Sequence, residues 1–247
     1  MSENKVIQVK NLVKTFGNFT AVNNLTFDVK KGEIFGFLGA NGAGKTTAMK
    51  ILCGIQMPTS GDVTIAGMNL KTDREKIKLK IGYMSQKFSL YEDLTVKENF
   101  RFFGGIYKMS RKQIHESTEK LLLRLDMMEQ LNTVVRSLPI GWKQKLAFTI
   151  ANMHNPEIVF LDEPTGGVDP LTRRRFWEMI YDAAEAGITV FVTTHYMDEA
   201  EYCNRACIMN EGKIVALDTP QKLKEDYNAL SMDEVFLKIV NRRSSHE

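Results

Sequence analysis

The nine residues GANGAGKTT, Gly39 to Thr47, constrain the fold more than any other stretch of the chain. They follow the apolar run EIFGFLG and open a segment with helical periodicity from Lys45 to Gly54. A loop of the form G-x-x-x-x-G-K-[ST] needs that setting, a buried strand behind it and a helix ahead. Gly42 and Gly44 admit backbone angles that side chains resist, so successive amides can converge on an anion. The helix N-terminus adds positive potential. Gly39, Asn41, Gly42, Ala43, Gly44, Lys45, Thr46 and Thr47 are therefore candidate contacts to a triphosphate. Lys45 is expected to reach the β- and γ-phosphates, and the Thr46 hydroxyl to ligate Mg²⁺.

The complementary chemistry lies in IVFLDEP. Four apolar residues bury a strand, and Asp162 and Glu163 emerge at its C-terminal end, where open α/β sheets bind ligands. Asp162 is expected to hold the metal directly or through water, and Glu163 to orient or deprotonate the attacking water. His195 closes VFVTTH at another strand end and is expected to touch the γ-phosphate. Gln86 closes IGYMSQ and is placed near the metal or the water.

The remaining pattern builds one α/β domain. Residues 5–38 alternate apolar and polar around turn signals at Gly17-Asn18 and Lys31-Gly32, which predicts antiparallel strands. GDVTIAG reads as a further strand. KENFRFFGGIYK and STEKLLLRLDMMEQL carry helical periodicity. TRRRFWEMIYDAAEAG reads as a helix stopped at Gly187, and ACIMNEGKIVALDTP as a hairpin turning at Glu211-Gly212. The expected organisation is a single domain over 1–247. A nucleotide-binding core with an antiparallel β subdomain covers about 1–91 and 156–247, and a helical subdomain is inserted at about 92–155.

Composition removes other classes. A formal charge of +3, from 33 basic and 30 acidic residues, is too even to point to nucleic acid, and none is expected as a partner. Arg173–Arg175 reads as a solvated helix face. No apolar run approaches the roughly 20 residues of a membrane span. If the protein serves a membrane, another chain is expected to supply the spans. The three cysteines, Cys53, Cys203 and Cys207, make no paired framework and are expected to pack in the core of a cytosolic protein.

Taken together, Gly39–Thr47, Gln86, the stretch Gly141–Leu146, Leu161–Pro164, Val168-Asp169 and His195 occur in the order seen in ABC transporter ATPases. The resemblance covers nearly the whole chain and includes DLTVKEN, DEPTGGVDP and THYMDEAEYCNR. It implies a P-loop NTPase core, ATP with Mg²⁺, and a head-to-tail dimer, homomeric or heteromeric. In such a dimer each ATP lies between one subunit's phosphate loop and the other's signature helix. It further implies that Phe16 stacks on adenine and that Gln86 links metal and water to a permease. Asp169 is implied to contact the dimer partner, Glu163 to be the catalytic carboxylate and His195 the switch histidine. The ending SMDEVFLKIV resembles the exporter branch, which pairs with a separate multi-span permease and holds the ATPase on the inner face of the membrane. An aromatic patch of Phe88, Leu90, Tyr91, Phe102, Phe103 and Tyr107 is either helical-lobe core or a groove for a permease helix.

Where the family carries an L-S-G-G-Q-type signature, this chain reads Leu138-Pro139-Ile140-Gly141-Trp142. Pro139 replaces the serine whose hydroxyl donates to the partner's γ-phosphate, and Ile140 replaces the first glycine. The amides of Gly141 and Trp142 are expected to remain as donors, with the helix dipole. A nucleic-acid- or ribosome-associated relative is the alternative. Only roughly 90 residues separate Lys45 from Pro139, too few for the coiled-coil insertion of the repair type. An ATP-sensing subunit with little turnover is disfavoured by the retained Glu163 and His195.

Overall fold

The computed structural model describes residues 4–86 and 90–244. Strands β1 (Lys5–Phe16) and β2 (Phe19–Lys30) form an antiparallel hairpin whose last pair is Phe16 opposite Phe19. Gly17, with φ 55°, supplies the left-handed turn expected there. The fully buried β3 (Ile34–Gly39) leads to helix α1 (Lys45–Leu52). Then come β4 (Ser60–Ile65), β5 (Met68–Asn69), α2 (Leu70–Lys78) and β6 (Ile81–Met84). Helices α3 (Val96–Ile106), α4 (Arg111–Arg124) and α5 (Ile140–Asn152) make the inserted lobe. The chain returns through β7 (Ile158–Asp162), α6 (Pro170–Glu185), β8 (Thr189–Thr194), β9 (Arg205–Asn210), β10 (Lys213–Asp218), α7 (Pro220–Asp226) and α8 (Met232–Ser244).

Two sheets result. The first, β2-β1-β4-β5, is antiparallel. The second runs β10-β9-β3-β8-β7-β6, parallel except for the β9–β10 hairpin. Alternating residues of β3 explain why its sequence is apolar throughout, because a parallel sheet is covered on both faces. Phe35 and Phe37 meet Phe27 of the antiparallel sheet and Phe191 of β8, with ring centroids 5.2–5.6 Å apart. On the opposite face, Ile34, Val159, Leu161 and Val192 pack under Phe148 of α5 and Phe176 and Trp177 of α6. The insert has its own core, including Val96, Phe100, Leu122, Leu146 and Ile150.

Several elements differ from the sequence reading. The helix expected across STEKLLLRLDMMEQL starts earlier, at Arg111, behind a Ser110–Gln113 capping box. It ends at Arg124, because Asp126 takes φ 55° and breaks it. Helix α2 lacks a clear apolar stripe, burying only Leu70 and Ile77. β6 ends at Met84, so Gln86 lies in a turn two residues beyond the strand. The β9–β10 turn falls at Glu211 and Gly212 as expected, both with positive φ. All three cysteines are buried and unpaired, as packing in the core requires.

Candidate functional site

The phosphate loop is shaped by a contact that glycine alone permits. Gly44 caps α1 at φ 101°, and a β-carbon there would collide with the Ala21 carbonyl. β2 therefore holds the loop from outside, while Ala43 and Met49 bury the loop and α1 from beneath. Lys45, with its side chain 4% exposed, donates from Nζ to the carbonyls of Gly39 at 2.7 Å and Ala40 at 3.1 Å. Burial lowers its pKa, and the neighbouring Glu163 carboxylate opposes that shift.

The C-terminal edge of the parallel sheet brings the other candidates to this loop. Asp162 closes β7, and its Oδ1 accepts from Thr193 Oγ1 at 2.7 Å and Thr46 Oγ1 at 3.4 Å. Burial raises the Asp162 pKa, against the Thr193 hydrogen bond. Glu163 follows with φ 48°, a left-handed backbone that costs a non-glycine residue energy. Its amide is held by the Thr193 carbonyl and hydroxyl, both at 3.1 Å. That strain aims the carboxylate at three partners. Gln86 Nε2 donates to Oε2 at 2.9 Å, His195 Nδ1 stands 3.1 Å from the same oxygen, and Lys45 Nζ lies 3.6 Å from Oε1. Three residues read separately from the sequence thus meet around the carboxylate of a fourth.

A cavity of about 440 Å³ opens above the loop, lined by Asn41, Gly42, Gly44, Lys45, Thr46, Thr47, Gln86, Glu163 and also Phe19. Phe16 is outside that lining, 47% exposed at the hairpin, with Lys14 Nζ 5.1 Å from its ring centroid. Phe19, which lines the cavity, is a residue that sequence reading did not single out. Its signal was the hairpin itself, which sets Phe19 opposite Phe16.

In the inserted lobe, Pro139 caps α5 and Ile140 is 53% exposed. The Trp142 amide is already bonded to the Pro139 carbonyl at 3.0 Å. The amides of Ile140 and Gly141 have no partner among the described residues. The wholly buried Gln144 reaches from α5 to the Pro164 carbonyl, joining the signature helix to the loop after Glu163. Asp169 caps α6 at the surface, accepting from the Thr172 amide at 3.0 Å and hydroxyl at 2.6 Å. Those bonds hold its carboxyl below the usual range.

The aromatic patch divides. Tyr91, 48% exposed, and Phe102, 41% exposed, meet edge-on at 4.5 Å on the surface. Leu90 and Phe103 pack against the core of the insert, and Tyr107 turns inward to stack on His154 at 3.6 Å. Phe88 lies outside the described residues.

Against known proteins, the family described as ABC transporter matches residues 22–166, more than half of the chain. The chain belongs to the ABC transporter family. Its domain is an ATP-binding cassette. The cassette is 45% identical, over 96% of its length, to the probable multidrug ABC transporter ATP-binding protein YbhF of Escherichia coli (strain K12), and it spans 42% of that relative's length. The linearmycin resistance ATP-binding protein LnrL of Bacillus subtilis (strain 168) is 35% identical over 88% of the cassette and 70% of its own length. Among solved structures, the cassette MJ0796, dimeric in a post-hydrolysis state bound to ADP and phosphate, superposes with a TM-score of 0.77. It is 27% identical, over 86% of this chain and 98% of its own. Among the described residues no helix is long and apolar enough to cross a membrane.

Proposed function

We propose that the chain is the ATP-hydrolysing subunit of an ABC exporter. ATP closes a dimer of cassettes and hydrolysis reopens it, and that cycle drives a separate multi-span permease from the inner face of the membrane. The observation that carries the reading is the meeting of Lys45, Gln86 and His195 on Glu163 at the mouth of the phosphate loop. The multidrug and resistance names of the two relatives support export. Copurification from cells tests it. Recovery of a multi-span membrane protein is expected, and a cassette that never recovers one would argue for the non-transport alternative.

The donor set fits Mg²⁺. The Thr46 hydroxyl and the Asp162 carboxylate put hard oxygen atoms at the loop, and Gln86 lines the same cavity. Among the described residues no group of three acidic, histidine or cysteine side chains builds a cage, and a metal shared with substrate phosphates needs none. When bound, the ion would supply neutralisation of phosphate charge. Lys45 would leave the Gly39 and Ala40 carbonyls for the β- and γ-phosphates. Glu163, released from Lys45, would take the proton of the attacking water, and His195 would hold the γ-phosphate.

In this reading the signature helix acts on the partner subunit's ATP with backbone amides alone. Loss of the serine donor weakens that contact by about 1.5–3 kcal/mol, which suits a dimer whose other half carries a serine. Converting Pro139-Ile140 to Ser-Gly is expected to shift ATP-driven dimer closure to lower ATP concentration by about tenfold or more. Analytical ultracentrifugation measures this directly, and an unchanged closure curve would show that the missing donor has no role here.

Tyr91 and Phe102 form the surface proposed to receive a permease helix. Tyr91→Asp is expected to abolish transport by the assembled complex while basal ATP hydrolysis persists. Undisturbed transport in vesicles would remove this patch from the interface.

A further inference from the structure

Beside the site, two buried polar atoms on neighbouring side chains have no hydrogen-bond partner: Arg173 Nε and Glu199 Oε2. Glu199 and Thr165 are wholly buried, and Thr165 Oγ1 donates to Glu199 Oε1 at 2.5 Å. Arg173 Nε stands 3.6 Å from that same oxygen, outside hydrogen-bond reach. Its guanidinium lies over the Tyr196 ring at 4.2 Å, and the Tyr196 ring packs on that of His195 at 4.2 Å. The cluster joins three segments: the loop between Glu163 and Asp169, the first turn of α6, and the residues following β8.

The Arg173 side chain is 22% exposed and its Nη1 also reaches Asp198 Oδ2 at 3.5 Å, whereas the Glu199 carboxylate is wholly buried and costly to leave without a cation. Interiors seldom leave Arg173 Nε and one carboxylate oxygen of the neighbouring Glu199 both without a partner. Closing the pair to a charge-assisted bond of about 2.7–2.9 Å requires a shift of less than about 1 Å. The Arg173 amide is bonded to the Asp169 carbonyl at 3.0 Å, so movement at Asp169 carries Arg173 with it.

We propose that Glu199 is a positioning residue: it latches onto Arg173 when a second subunit displaces Asp169, and through Thr165 and Tyr196 the latch sets Glu163 and His195 for hydrolysis. This rests on the reading of Glu163, His195 and Asp169 given above. The latch makes turnover, not ATP affinity, depend on the partner. It touches neither the nucleotide nor the phosphate loop.

The test separates positioning from mere stability. Glu199→Leu and Arg173→Met are each expected to lower the melting temperature, the first by removing the acceptor of the buried Thr165 hydroxyl, the second by leaving the wholly buried Glu199 without its neighbouring cation. The double variant replaces both charges with apolar groups and is expected to regain the melting temperature. ATP affinity should stay within about twofold, while kcat remains at least about tenfold down. Recovery of kcat along with stability would reduce the pair to a structural role and overturn the proposal. Should the double variant fail to fold, Glu199→Gln keeps the acceptor for Thr165 and removes the charge. It is expected to lower kcat without raising KM, and an unchanged kcat would overturn the latch. Glu163→Gln is measured alongside. Full turnover in that variant would sink the site reading itself, whereas an inactive Glu163→Gln beside a fully active Glu199→Gln would sink the latch alone.

Discussion

Glu163→Gln is expected to lower steady-state ATP turnover by about 10²–10⁴-fold while ATP stays bound and the dimer stays closed. The substitution keeps the size of the side chain but removes its ability to accept a proton. It also removes the negative charge 3.6 Å from Lys45 Nζ, freeing the ammonium for phosphate. Binding therefore survives the loss of chemistry, and closed dimers accumulate because the step that opens them is blocked. Size-exclusion chromatography with ATP and Mg²⁺, read with a phosphate-release assay, distinguishes this from a folding defect. Undiminished hydrolysis would count decisively against Glu163 as the base.

Lys45→Met acts one step earlier, on binding. The ammonium is buried among the Gly39 and Ala40 carbonyls, in a site dry enough to lower its own pKa. A charge-assisted contact contributes about 1.5–3 kcal/mol. Loss of two such contacts to phosphate oxygens corresponds to an affinity drop of about 10²–10⁴-fold. Methionine fills the same volume, and the loop is held in place by Gly44 against the Ala21 carbonyl, so the fold is expected to persist. Calorimetric titration with ATP measures the loss. Unchanged affinity would show that Lys45 serves the loop's architecture alone.

The parts of this site that could be read from the chain are those where one residue type meets one requirement. A glycine-rich loop before a helix, two carboxylates after four apolar residues, and a histidine closing a buried strand each carry local information. The strands of the parallel sheet converge at their C-terminal ends, so local readings became one constellation without knowledge of any distance. What stayed hidden depends on register and side-chain packing. Thr193 orients both Asp162 and Glu163, yet in sequence it is one of two threonines finishing a buried strand. Phe19 faces the cavity because of hairpin pairing, and Gln144 is useful because α5 crosses near Pro164. The end of α4 was missed because a left-handed Asp126 breaks an apolar pattern that otherwise continues.

The burial of every thiol has a practical side. Cys53, Cys203 and Cys207 are all enclosed, and burial pushes their pKa values up, so the thiolate that reacts with maleimides or oxidants is suppressed. The folded chain thus offers a silent background for labelling without removal of its own cysteines. A single cysteine placed at the exposed Ile140 and another at the exposed Asn41 would be the reactive pair. In a head-to-tail dimer these would face each other across the nucleotide, where oxidative cross-linking can count closures subunit by subunit.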